Sequence, residues 1–410
     1  MAEPFRAPRG TRDILPKEEP LWFDTILAAM EELAVLYGYG RIQTPGFEDT
    51  GLFARTSGAA SDVVQKEMYS FSDRGGRSLT LRPEGTAPIC RAYVQHGMHR
   101  EPQPVKLHTV APMYRYAAPQ KGRFREHWQW SVEAIGSADP ALDAELIQLY
   151  HALLERLGLR RVELRLNSIG DANCRPAYLE RLDAWLDAHA ELLDDEAQLK
   201  RATSPLQVFD VKSPALQAAL ADAPRIGEAL CGPCAEHLAE VRAGLDAYGV
   251  GYRLEPALVR GLDYYSRTTF EFVHGDLGLS ICGGGRYDGL VEQIGGPPTP
   301  GIGFGAGIDR LLLAAEAEGV AASRRGLDVF FVLDGVEKAR VLDLLARLRR
   351  GGLACDIDYA GRSFKGQLTQ AGRSGARTVV IAGATEAAVR RAGASEQIVS
   401  LEELEATLRA

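Results

Sequence analysis

Several short stretches of this sequence bring together residue types able to do chemistry. The run Leu81-Arg82-Pro83-Glu84-Gly85-Thr86 ends a β-like segment in a proline-stiffened turn that presents a carboxylate and a hydroxyl side by side. Such a pair suits a ligand ammonium, since a carboxylate accepts charge-assisted hydrogen bonds and a hydroxyl adds a neutral one. The same two residues would equally cap the first turn of a helix. Gln129, Ser131 and Glu133 alternate along a second run and therefore share one strand face. An amide and a carboxylate there, between Trp130 and Val132, are unusual for a face that lies in a core. The loop ahead of it carries Lys121, Arg123 and Arg125, which suits phosphate or a solvated turn.

Arg260-Gly261-Leu262-Asp263-Tyr264-Tyr265 packs a guanidinium, a carboxylate and two phenols together. Arginine binding a phosphate or carboxylate is the chemical reading; an Arg260–Asp263 ion pair with packed tyrosines is the structural one. In Cys282-Gly283-Gly284-Gly285-Arg286-Tyr287-Asp288 and in Gly301–Gly307, glycine lets a ligand or another strand lie against the backbone. No Gly-Lys-Ser/Thr follows, and the spacing is wrong for a dinucleotide fingerprint, which argues against a P-loop nucleotidase and a nicotinamide dehydrogenase. Cys231-Gly232-Pro233-Cys234 has a zinc-like spacing, with Cys174 or His237 able to complete it. Without a second Cys-x-x-Cys the pair reads as two partly buried thiols at a helix start, and no metal site is assigned.

These residues need elements to position them. Leu21 to Tyr37 is amphipathic with a helical period and ends at Gly38 and Gly40, after which Arg41–Thr44 extends into Pro45. Strands are expected at Met68–Phe71 and Ser78–Leu81 about the turn Asp73–Gly76, then at Val105–Tyr116 and Gln129–Ile135. A helix over Ala141–Leu157 and a strand over Val162–Asn167 precede a helical block from Arg175 to about Leu245. Strand signals return at Arg253–Glu255, Thr268–Val273, Leu279–Cys282 and Gly301–Gly307, the last running into a helix over Ile308–Glu318. The small, basic stretch 319–326 is the linker candidate. Beyond it strands at Asp328–Leu333, Ala354–Tyr359 and Thr378–Ala382 alternate with helices at Val336–Leu348 and Ser363–Arg373, which implies a small parallel α/β domain.

A chain of 410 residues predicts two or three domains, and 46% hydrophobic with 25% charged residues is ordinary for a globular protein. A net charge of −8 argues against a wholly basic nucleic-acid surface but leaves room for local basic strips. No apolar run reaches spanning length and the start lacks an apolar core, so no membrane association and a cytoplasmic location are expected. Six cysteines in such a chain read as thiols or metal ligands.

Together, RGTRDILP near the start, LRPEGT, PQKGRFRE, RGLDYY and GGGRYDGL resemble the histidyl-tRNA synthetase family, in its order and at its approximate spacing. The resemblance implies an α+β fold. Residues 1–320 would form a class II synthetase core with a mixed, largely antiparallel sheet flanked by helices and a helical insertion near 170–250. Residues 327–410 would form an α/β anticodon-binding domain. It implies a homodimer with Pro45 at its interface, ATP and L-histidine as substrates, Mg²⁺, and tRNA(His) as partner. Glu84, Thr86 and Gln129 would hold the α-ammonium of histidine, and Glu133 and Tyr265 its imidazole, with Tyr264 in the same pocket. Arg260 would contact the carboxylate and α-phosphate, Arg115 the α-phosphate and Arg310 the γ-phosphate, with Arg123 and His127 completing the nucleotide site.

The chain departs from the family's pattern where Arg115-Tyr116-Ala117-Ala118 replaces Arg-x-Glu-Arg and where His127 stands for an adenine-stacking phenylalanine. In the family those positions are associated with reading the adenine amine and the discriminator end of the tRNA. The rival implied by a family paralogue is a regulatory subunit of ATP phosphoribosyltransferase in histidine biosynthesis, which typically lacks the terminal domain and has eroded histidine motifs.

Overall fold

The computed structural model describes every residue except 1–4, 17, 19, 57, 59, 60, 62, 119–121, 323–325 and 410. Lys121 and residues 323–325 of the linker candidate therefore lie outside the described residues. Two compact units result, Met1–Ala322 and Ser323–Ala410.

The first unit is built on an eight-stranded sheet. Its spatial order is Gly40–Arg41, Val105–Tyr114, Glu126–Ile135, Gly301–Gly307, Leu279–Arg286, Ser266–His274, Val162–Ser168 and Arg253–Leu254. The two outermost pairings are parallel and the five between them antiparallel. Period-two alternation sorts the side chains. Trp130, Val132, Ile302, Phe304, Phe270 and Phe272 turn to one face and form the main core. That core lies beneath the helical stretch Pro20–Leu27 and Ala28–Leu36 and the helices Pro140–Leu157, Gly232–Tyr248 and Ile308–Glu318. Gln129, Ser131, Glu133, Gly303 and Gly305 are thereby committed to the opposite face. A smaller antiparallel sheet, Phe47–Asp49, Ser78–Leu81 and Tyr69–Ser72, stands beside it.

The glycine run Gly283–Gly285 lies in a longer strand than expected. Its pairing runs to Arg286 on both sides, where the sequence indicated only Leu279–Cys282. Three successive glycines have weak strand propensity, and two flanking strands supply the order instead. Conversely, of Arg41–Thr44 only Arg41 joins a strand, with Gly40.

Helix Pro140–Leu157 starts where the Asp139 carboxylate accepts from Ala141 N at 2.9 Å and ends at Gly158 in the left-handed region, φ 75°. Between Val162–Ser168 and Arg253–Leu254 the chain forms the helices Arg175–Asp187, Asp195–Thr203, Pro214–Ala219 and Gly232–Tyr248, the first three around a second core. The last crosses Pro140–Leu157 closely enough that a Cβ on Gly244 would meet Ala144 Cβ at 2.7 Å.

One fully buried ionic cluster ties these parts together. The Asp143 carboxylate takes both Arg286, through a charge pair with neither side chain exposed, and His237 Nε2 at 2.9 Å. Burial alone would raise the Asp143 carboxyl, but the bonds from His237 and Arg286 outweigh it and leave the group below its usual range. Its stabilisation is therefore complete above the unfolded carboxylate range and lost as pH falls through the depressed folded value. Asp143→Ala would leave the buried Arg286 guanidinium only Asp288, at 3.2 Å, as counter-charge and should cost about 3–5 kcal/mol. Denaturant unfolding checks this; a loss under about 1 kcal/mol, the scale of a surface pair, would contradict it.

The second unit holds a five-stranded sheet in the order Cys355–Ile357, Val329–Leu333, Thr378–Ala382, Glu386–Arg391, Gln397–Ser400. The first three strands are parallel, as the alternation implied, but the last two pair antiparallel, so the sheet is mixed. Helices Lys338–Arg350, Phe364–Ser374 and Leu404–Arg409 complete the unit. Among the described residues no helix is long and apolar enough to cross a membrane.

Candidate active site

The unpacked face of the large sheet carries a trough whose floor is main chain. Strand register places Gly283 opposite Gly305 and Gly285 opposite Gly303, so two neighbouring strands present no side chain there. Glu133 and Gln129 wall it from the next strand out on one side, and Arg260 from the segment before Ser266–His274 on the other. A Cβ on Gly303 would lie 1.7 Å from Glu133 Oε2, one on Gly305 2.7 Å from Gln129 Nε2, and one on Gly283 2.3 Å from Arg260 Nη2. Each close approach requires glycine.

One end of the trough opens into a cavity of about 290 Å³ lined by Arg115, Arg123, Arg260 and Arg310 together with His127, Gln129, Phe124 and Ala117. The arginines are held from behind. Arg115 Nε donates to Pro83 O at 2.8 Å, Arg310 Nη1 to Ser280 O at 2.7 Å, Arg123 Nη2 to Glu67 at 2.6 Å, and Arg260 Nη1 to Glu271 at 2.7 Å. Burial, then the charges of Arg123 and Arg115, lowers the Arg310 guanidinium below its ordinary value. Burial lowers Arg260 too, but Glu271 and Tyr265 more than reverse it. Among the described residues, Arg260 Nε is buried without a partner. Burial, then the charges of Arg115, Arg310 and Arg123, pushes His127 down to about 3, so its imidazole is neutral and can stack without adding charge. The cavity thus concentrates cationic donors around an anion-sized space, as a polyphosphate requires.

The other end is buried and acidic. Glu133 is fully buried, with Thr86 Oγ1 donating to one carboxylate oxygen and the Tyr287 hydroxyl to the other, each at 2.7 Å. Burial raises its carboxyl well above the usual range, and the two hydroxyls pull only partway back. Tyr264 and Tyr265 lie with ring centres 4.7 Å apart, and a Cβ on Gly285 would lie 2.9 Å from the Tyr265 ring. Glu84 takes the helix-capping role open to it, accepting from Thr86 N at 2.6 Å and Ala87 N at 2.9 Å. Each of its oxygens keeps a second lone pair.

Arg115, Arg123, His127, Gln129, Arg260 and Arg310 therefore meet in one cavity, while Glu84, Thr86, Glu133, Tyr264 and Tyr265 form the buried group beside it. Arg125 stays away, lying 3.7 Å over the Tyr116 ring. Arg260 pairs with Glu271, not with Asp263, which instead accepts from Ser204 and Gln207. Sequence reading missed Phe124, a second aromatic in the cavity, and Tyr287, the clamp on Glu133. It also gave no role to Arg12, which binds Asp309 at 2.9 Å, or to buried Arg82, which donates to Thr44 O and Pro112 O at 2.9 Å. The signal for Tyr287 was its place directly after the glycine strand.

Residues 10–311 match the profile of the histidyl-tRNA synthetase family. The chain is 49% identical over 403 residues to the histidine–tRNA ligase of Moorella thermoacetica, covering 95% of each protein. Its backbone matches apo S. aureus histidyl-tRNA synthetase with a TM-score of 0.84 at 36% identity, over 99% of this chain and 100% of that one. A Bacillus halodurans chain described as an ATP phosphoribosyltransferase regulatory subunit/histidyl-tRNA synthetase matches less well, with a TM-score of 0.66 at 25% identity over 93% of this chain and 100% of that one. Profile, near-full-length identity and a class II sheet with its added α/β unit agree, and the chain belongs to the histidyl-tRNA synthetase family.

Proposed function

We propose that the chain activates L-histidine with ATP and transfers it to the 3′ end of tRNA(His). The observation that carries this reading is the charge asymmetry of one trough, with four arginines at the open end and a hydroxyl-clamped carboxyl at the buried end. Histidine fits the buried end. Its imidazole offers one donor and one acceptor to Glu133 and Tyr265, and its ammonium turns to Glu84, Thr86 and Gln129. Its carboxylate then lies toward Arg260, the arginine nearest the glycine floor.

ATP enters the open end as its magnesium salt, with Arg115 and Arg260 on the α-phosphate, Arg310 and Arg123 on the outer phosphates, and Phe124 or His127 against the adenine. Glu271, whose carboxylate faces Arg260, is the acidic group suited to water around the magnesium. The histidine carboxylate attacks the α-phosphorus, pyrophosphate leaves, and the terminal ribose hydroxyl of the tRNA later displaces AMP. No side-chain nucleophile takes part. The protein positions the reactants and supplies fixed positive charge where negative charge develops.

Exposed Tyr359 and Phe364, with Arg362 and Lys365 alongside, give the second unit rings and cations suited to unstacked anticodon bases. The chain works as a cytoplasmic homodimer joined near Pro45, whose segment Arg82 fixes from within and beside which Phe47 and Phe71 are exposed. Histidine-dependent ATP–pyrophosphate exchange followed by tRNA charging tests the proposal. Exchange without charging would point to the regulatory paralogue, and neither activity would refute the assignment.

Ala117 lines the cavity and offers no donor or acceptor beyond its backbone. A bidentate arginine contact to a base is worth about 1–3 kcal/mol of discrimination, and Ala118 cannot make one. Charging efficiency on the four discriminator variants should therefore differ by less than about ten-fold, while an anticodon change still hurts. A hundred-fold preference for one base would show another residue reading it, Gln120 first among them, a position outside the described residues.

A further inference from the structure

Away from the trough, the end of strand Val162–Ser168 meets the last helix of the insertion, and four ligand-type side chains converge there. Cys174 Sγ and Cys231 Sγ lie 3.6 and 3.8 Å from Asp171 Oδ1, and one ligand atom from each of Asp171, Cys174, Cys231 and Cys234 falls within 4.8 Å of all the others. A tetrahedral zinc, with Zn–S about 2.3 Å and Zn–O about 2.0–2.2 Å, spaces its ligands roughly 3.5–3.8 Å apart. We propose that Asp171, Cys174, Cys231 and Cys234 form a structural zinc site.

Three independent features favour a cation over mere packing. Cys174 and Cys231 are the N-caps of helices Arg175–Asp187 and Gly232–Tyr248, and neither makes a side-chain capping bond. Both helix N-termini therefore present a ligand to the cluster. The backbone is shaped around it. Gly170 has φ +63°, with a Cβ there only 2.5 Å from Cys174 Sγ, and Arg267 is the one non-glycine residue with positive φ among those described. Arg267 N donates to Gly170 O at 2.7 Å. Finally, an outer layer is present. Asp171 N reaches Cys174 Sγ at 3.3 Å, Asn173 N reaches Asp171 Oδ1 at 2.9 Å, and the Arg267 guanidinium stands 3.5 Å from Asp171 Oδ2. These groups orient the ligands and offset the net negative charge of three thiolates and a carboxylate around a divalent ion.

His237, the other completion the sequence allowed, is excluded because its Nε2 is committed to Asp143. The carboxylate that replaces it lies three residues before Cys174, in an Asp-x-x-Cys spacing, and sixty before Cys231. Bound zinc would join the Asp171–Cys174 turn to the first turn of the insertion's last helix.

The test is elemental analysis of the full chain, purified without a polyhistidine tag or chelator. About one zinc per chain is expected, falling below roughly one tenth in Cys174→Ser and in Cys231→Ser and unchanged in Cys355→Ser, a thiol of the second unit. Cobalt substituted for zinc should give the intense sulfur-to-cobalt absorption of a thiolate site. Less than about half a zinc per chain, not raised by incubation with Zn²⁺ and desalting, would overturn the proposal. So would a thiol count showing two cysteines lost to a disulfide. Should the serine variants precipitate, the wild-type stoichiometry and the cobalt spectrum decide alone.

Discussion

Arg260→Ala is expected to lower histidine-dependent ATP–pyrophosphate exchange by about a hundred- to a thousand-fold, or roughly 2.7–4 kcal/mol of transition-state stabilisation. The guanidinium borders the glycine floor, where the carboxylate of one substrate meets the α-phosphate of the other. Negative charge at that point grows as the bond to phosphorus forms. Two observations set the size of the effect. Its Nε is buried with no partner among the described residues, so a substrate oxygen gains a desolvated donor there. Its partner Glu271 would also lose the counter-charge it has at 2.7 Å. Arg260→Lys keeps the charge but not the planar fork, and its activity should fall between those of alanine and wild type. The fold should survive, because both side chains of the pair are partly exposed and the core lies on the other face of the sheet. Exchange within a few-fold of wild type in the alanine variant would remove Arg260 from the mechanism.

Gly283→Ala is expected to do nearly the same damage without touching a charged group. Its new Cβ would lie 2.3 Å from Arg260 Nη2 and 2.5 Å from Cζ, closer than a non-bonded carbon tolerates. What must yield is the end of a flexible side chain, so the guanidinium swings away and the strand stays. The expected loss is about a hundred-fold, the lower end of the range for a lost donor. The double variant Gly283→Ala/Arg260→Ala should be no worse than Arg260→Ala, since both act through one group. Losses that add would refute the coupling. Gly284→Ala is the contrast, because its Cβ would meet Gly303 O at 2.2 Å and Phe304 Cβ at 2.7 Å on the core side. There the cost should appear in thermal unfolding before it appears in catalysis.

Side-chain chemistry was legible where a motif is compact. Gln129, Glu133 and Arg260 could be singled out because local alternation or a short motif fixed their company, whereas Arg115 and Arg310 were named only through the family resemblance. Strands such as Ser78–Leu81, Gly301–Gly307 and Thr378–Ala382 ended where their patterns ended. What escaped depends on neighbours distant in sequence. The strand through Gly285 exists because Thr269 and Gly303 flank it, and nothing within Gly283–Gly285 says so. Glu386–Arg391, with its two alanines, has little strand character of its own. It is recruited as Ala387 and Val389 bury against the second unit's core. Asp171, Tyr287 and Phe124 acquire meaning only from partners brought in by the fold.

The side-chain-free floor has a bearing on how this site can be inhibited and how it can escape inhibition. A planar compound lying on Gly283, Gly285, Gly303 and Gly305 would touch peptide atoms, which are the same whatever residue is encoded there. Substituting these glycines to dislodge the compound would put a Cβ into Glu133, Gln129, Arg260 or the Tyr265 ring. Resistance at the floor therefore costs activity, and surviving variants should map instead to lining positions whose own side chains bound the cavity, such as Ala117 and Phe124.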